Sequence, residues 1–132
     1  MIMTYEIVDP TAQDALPNRA CETRPICGSK KDASRFENLG IRFYVVNPGD
    51  QIPQGLHYHE TQEEGFYVIS GVLYIETPER TYDVNKGYLF LAEAGSPHRA
   101  FNPKDANQSA QVLAMGAPTS DPGRLYDAAN GL

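Results

Sequence analysis

The 132-residue chain has only three histidines, and two of them, His57 and His59, are separated by a single residue. In an extended segment the side chains alternate, so residues two apart point to the same face. The pair therefore offers two ring nitrogens to one region, about the width of a metal coordination sphere. Glu60, Glu63 and Glu64 follow within five residues of His59, across a short turn, and each is a candidate carboxylate. Imidazole and carboxylate together suit divalent first-row metals. His98 is distant, just past the breaker Gly95-Ser96-Pro97, and only a fold can bring it to the pair. An HxH pair by itself also fits surface or hydrogen-bonded histidines, so the weight falls on what else converges with it.

The elements that must position these residues read as short strands. Residues 41–46 form one, ended by the turn cluster Asn47-Pro48-Gly49-Asp50. Residues 56–59 are short and extended. Residues 65–69 run into Ser70-Gly71, 72–76 return, and Pro78-Glu79 turns again. Further strands are predicted at 81–84, 88–91, 98–102 and 110–115, separated by Asn85-Lys86-Gly87 and Gly95-Ser96-Pro97. Short strands at regular spacing, with no long amphipathic helix, indicate an all-β sandwich or barrel. Residues 1–38 are the least regular part. Tyr5-Glu6-Ile7-Val8 is a possible short strand there, and Pro10, Pro17 and Pro25 punctuate the rest. We read 1–38 as an arm packing on the barrel or a partner subunit, 39–117 as the barrel, and 118–132 as a loosely held polar tail.

Alternation also sorts the walls of any cavity. Glu64, Phe66 and Val68 share a face, as do His98, Ala100 and Asn102. From 41–46 either Arg42, Tyr44 and Val46 or Ile41, Phe43 and Val45 point inward. The first set makes a polar pocket that tolerates anions, the second an apolar one.

Composition narrows the function classes. One domain accounts for the length, and 41% hydrophobic with 21% charged residues is ordinary for a globular chain. The net charge of -6, with 17 acidic and 11 dispersed basic residues, argues against nucleic acid. No apolar stretch approaches the length of a membrane span. The first nine residues carry acids and no basic region, unlike a secretory leader, so a cytoplasmic location is expected. Cys21 and Cys27 fit neither a CxxC nor a zinc-ribbon spacing and read as reduced thiols.

Residues 49–102 resemble the cupin superfamily in two motifs. In the first, His57-Tyr58-His59 is followed by four residues, Glu64, six residues and Gly71. Choosing Glu63 would leave seven residues before Gly71, so the resemblance selects Glu64. Seven residues separate Gly49 from His57, where the family has five. In the second motif Gly87, Gly95, His98 and Asn102 fall at the family's spacing, with Glu93 standing where the family has proline. Fifteen residues, 72–86, separate the motifs, as in compact prokaryotic members.

The resemblance implies a jelly-roll-like antiparallel β-barrel with an irregular N-terminal arm. It implies one divalent metal ion per chain, Fe, Mn, Ni, Co or Zn, held by His57, His59, Glu64 and His98. Gly71, Gly87 and Gly95 would be turn glycines and Asn102 a hydrogen-bonded structural residue. Such a site suits a metal-dependent oxygenase or decarboxylase acting on a small organic acid. A metal-dependent isomerase or lyase of a sugar or keto compound is the alternative, and a non-catalytic metal or small-ligand binding module is the third reading. A small-molecule partner and a homodimer, paired through sheet edges or the arm, are expected.

Overall fold

The computed structural model describes residues 4–28, 34–53 and 55–127. Within them the chain forms ten strands and one 3-10 turn, Pro10–Ala12. The strands are β1 (Glu22–Cys27), β2 (Gly40–Val46), β3 (His57–Tyr58), β4 (Glu63–Ser70), β5 (Val72–Glu76), β6 (Thr81–Asn85), β7 (Leu89–Ala92), β8 (Arg99–Phe101), β9 (Ala110–Ala117) and β10 (Arg124–Leu125). No helix among the described residues is long and apolar enough to cross a membrane.

Two antiparallel sheets face each other. One has five strands in the order β1-β2-β9-β4-β7, the other three in the order β6-β5-β8. The small β10-β3 pair extends the second sheet, because single bridges join His57 to His98 and Gln51 to Phe101. Apolar positions on the inner faces meet in the middle. Val46, Val68 and Val112 from the large sheet and Leu73 and Ile75 from the small one are fully buried. Tyr44, Phe66, Val84 and Ala100 join the same cluster. The inward residues of β2 are therefore Arg42, Tyr44 and Val46, which settles the choice that alternation leaves open. Phe43 is buried too, but outside that cluster.

β1 is not expected from the sequence. Its pattern is masked by Pro25 and by Glu22 and Arg24, which pair at 3.0 Å. Pro cannot donate to a ladder, and strands tolerate it at a sheet edge or a bulge. β1 has both, since it is the edge strand and its register slips between Pro25 and Cys27. Conversely, Tyr5-Glu6-Ile7-Val8 forms no strand. Residues 118–127 are better tied than their polar composition suggests, because β10 pairs with β3 and places Leu125 opposite His57.

The β4–β5 hairpin shows how one glycine holds a register. Gly71 has φ +75, and a Cβ there would lie 2.3 Å from the Ser109 carbonyl oxygen. Gly71→Ala is therefore expected to cost about 1–3 kcal/mol. Urea denaturation would detect this as a lower midpoint with an unchanged slope.

Candidate metal centre

The two sheets bring four side chains to one point. His57 and His98 sit directly opposite each other and exchange backbone bonds, His57 N donating to His98 O (3.1 Å) and His98 N to His57 O (2.8 Å). Their rings lie side by side, with centroids 4.8 Å apart. His59 follows β3, and its carbonyl accepts from Gly95 N at 2.6 Å, at the turn where Gly95 adopts φ +84. Glu64 enters from β4 in the facing sheet. Its Oε1 lies 2.8 Å from His59 Nε2, 3.3 Å from His98 Nε2 and 3.9 Å from His57 Nε2.

The rings are oriented by their other nitrogens. His57 Nδ1 contacts Gly55 O at 2.7 Å, His59 Nδ1 contacts Asp121 O at 2.9 Å, and His98 Nδ1 contacts Ser96 O at 2.9 Å. A carbonyl only accepts, so each Nδ1 carries the proton and each neutral ring turns an Nε2 lone pair toward Glu64. Backbone carbonyls hold metal-ligating histidines in the same way. With the rings neutral, the result is a set of acceptors with no donor among them. Glu64 Oε1 and His98 Nε2 are buried with no hydrogen-bond partner. Buried acceptors left unpaired are costly, and a cation at their common focus removes the cost. His57, Glu64 and His98 place their ligand atoms within 4.8 Å of one another and could hold a metal ion. His59 flanks this set, on the same carboxylate oxygen.

Protonation behaves as such a cluster should. Burial lowers the His57 pKa, outweighing the Gly55 carbonyl. At Glu64 burial acts upward, but the contact with His98 and the charges of the three rings bring the pKa below the usual carboxylate value. At His98 burial acts downward, and Glu64 and the Ser96 carbonyl outweigh it, so the pKa is raised. A charged His98 donates from both nitrogens, and the 3.3 Å contact with Glu64 then becomes a hydrogen bond.

The competing glutamates lie elsewhere. Glu60 pairs with Arg124 at 3.0 Å, half-exposed, and Glu63 is exposed. Glu93 is also exposed and does not line the cavity beside the cluster. Asn102 is buried, and its Nδ2 donates to Val46 O (3.0 Å) and Gln108 O (2.8 Å), a purely structural arrangement. Asp121 has no signal in the sequence. Its carbonyl holds His59, while its carboxylate accepts from Thr61 N (2.5 Å) and Gln62 N (2.8 Å), which fixes the turn before Glu64.

The cluster opens on a cavity of about 330 Å³. Arg42, Tyr44, Gln62 and Thr119 give it a polar side, and Ile52, Phe66, Ala100 and Ala114 an apolar one.

Residues 42–115 match the cupin domain family. This chain is a member of the cupin family. Its fold is shared by solved structures of modest identity. The polyketide cyclase RemF from Streptomyces resistomycificus aligns over 92% of this cupin and 85% of its own chain, at 22% identity and a TM-score of 0.71. A sugar phosphate isomerase of the cupin superfamily from Silicibacter pomeroyi aligns over 92% and 82%, at 20% identity and a TM-score of 0.73. KdgF from a Halomonas species aligns over 87% and 94%, at 16% identity and a TM-score of 0.68. No curated protein gives a significant match by sequence.

Proposed function

We propose that this cupin binds one divalent metal through His57, His59, Glu64 and His98 and is a metal-dependent enzyme acting on a small organic acid, as an oxygenase or decarboxylase. The observation that carries the reading is the convergence of three Nε2 atoms and one carboxylate oxygen at a 330 Å³ cavity. A bound metal of this class would polarise a substrate oxygen and, if iron, activate dioxygen. The chain's own residues do the rest. Gly55, Ser96 and Asp121 fix the three rings, and Phe66, Ile52 and Ala100 keep one wall dry. Metal analysis of protein purified without metal-affinity steps, followed by oxygen-uptake measurements with small acids, tests this. Iron with acid-dependent oxygen uptake supports an oxygenase, and manganese with carbon dioxide release a decarboxylase.

Tyr44 favours a second reading. Burial pushes its phenol pKa up to about 12, so it stays a neutral proton donor inside the cavity. A neutral phenol beside the cluster suits an isomerase or lyase, in which charge develops on a keto oxygen. A polyketide cyclase and a sugar phosphate isomerase are among the solved structures with this fold. Anaerobic exchange of a substrate C–H for deuterium, lost in Tyr44→Phe, separates this reading from the first.

We also propose a homodimer. The outward positions of β4, β7 and β9 include Tyr67, Ile69, Leu89 and Leu91, all exposed, with Gly65, Leu113 and Met115 between them. A continuous apolar face of this kind marks an interaction surface. Copies of net charge -6 repel elsewhere, and the apolar centre of this face, with Glu63 and Glu93 only at its margin, lets a second copy approach. It replaces the N-terminal arm as the candidate element. Light scattering should report a dimer at micromolar concentration and a monomer for Leu89→Glu/Leu91→Glu. A monomeric parent protein overturns the proposal.

A further inference from the structure

Arg42 has no part in the cluster, yet it is the only lysine or arginine among the described residues lining the cavity. Its side chain makes no ion pair or hydrogen bond with any described residue. Tyr44, two residues along β2 and on the same inward face, lines the same cavity. Pairing registers place both groups relative to the cluster. Gly40, Gly116 and Glu64 form one cross-strand row, and Arg42, Ala114 and Phe66 form the next inward row. Arg42 therefore starts two strands (about 10 Å) and two residues (about 7 Å) from Glu64. Only Ala114 and Gly116 stand on β9 between them, so no large side chain from that strand blocks the path.

A half-buried guanidinium without a protein partner calls for an anion. Its planar fork matches a carboxylate bidentately. A phosphate dianion asks for more positive charge than this wall supplies. We propose that Arg42, assisted by the Tyr44 hydroxyl, anchors a carboxylate of the substrate at the β2 side of the cavity. The substrate is then a short acid with two oxygen-bearing ends, one facing the histidines and a distal carboxylate on Arg42. This rests on the reading of the cluster as a metal site and adds to it the class of molecule selected.

The test compares 2-oxoglutarate with 2-oxovalerate, which share a carbon chain and differ in the distal carboxylate. Calorimetric titration of zinc-loaded protein should show 2-oxoglutarate binding at least about tenfold more tightly, the size of one charged hydrogen-bonded contact. In Arg42→Met and Arg42→Gln that advantage should shrink to within about twofold, with zinc content and melting temperature unchanged. Equal binding of the two acids by the parent protein, or an advantage that survives in both variants, overturns the proposal. Tighter, Arg42-dependent binding of dihydroxyacetone phosphate than of 2-oxoglutarate overturns the carboxylate assignment. Failure to retain zinc counts against the metal reading instead. The Arg42 comparison is then made on the zinc-free protein, where a ratio unaffected by Arg42→Met still overturns the anchor.

Discussion

His57→Ala/His98→Ala is expected to lose nearly all its metal under conditions in which the parent retains about one ion per chain. The two rings are the most deeply buried of the three histidines, and they are aligned by their own strand exchange. Removing them leaves His59 and Glu64, too few donors to hold a first-row ion against water. The expected fall in affinity is several orders of magnitude, measured by competition with a chromogenic chelator. Glu60→Ala is the control. Glu60 pairs with Arg124 at the surface, so its loss should leave metal content unchanged. Unchanged metal content in the double variant would sink the assignment.

Metal-loaded and metal-free protein should respond to pH with opposite slopes above about pH 6.5, the ordinary histidine value. In the metal-free protein His98 has a raised pKa: burial opposes its charge, but Glu64 and the Ser96 carbonyl outweigh burial. A raised histidine contributes stability that is complete below its unfolded pKa and is lost as pH rises through the folded one. Glu64 acts at the acid end. Its lowered pKa contributes stability above the ordinary value of 4.5, lost as pH falls through the folded value. His57, with a lowered pKa, disfavours the fold only below 6.5, where its unfolded counterpart takes up a proton first. Metal-free protein should therefore lose melting temperature as pH rises above about 6.5. Metal-loaded protein should gain it over the same rise, because ligation requires the deprotonated rings. Below about pH 6 the metal should leave steeply, as several rings take up protons together. Parallel slopes in the two forms would refute a shared site for proton and metal.

How far the site can be read from sequence depends on the range of the interactions. His57 and His59 follow from the two-residue period of a strand alone. Glu64 is one of three nearby glutamates until family spacing, and then the inward register of β4, selects it. His98 needs the fold, because its place opposite His57 is a long-range pairing. Arg42 and Tyr44 are legible only as one of two alternatives, since both faces of β2 bury large residues and the pattern does not say which face meets the core. β1 is hidden because an edge strand tolerates a proline and two outward charges. Asp121 is illegible in principle, because a backbone carbonyl, identical in every residue, does part of its work. The contrary error at Tyr5-Glu6-Ile7-Val8 has a matching cause: local strand propensity does not decide a strand by itself, and residues 5–8 lie in no ladder.

The pairing of β10 with β3 puts the last described strand of the chain against one of the first residues of the site. During synthesis His57, His59, Glu64 and His98 have all emerged before Asp121 and β10. Until that segment arrives, the His59 ring lacks the carbonyl that sets its tautomer, and the turn before Glu64 lacks the carboxylate that caps it. The nascent chain thus carries the four side chains before it can aim them, and the competence of the centre waits on residues 118–125. A stop placed after residue 117 would leave every ligand in the product and still produce a poorly formed site.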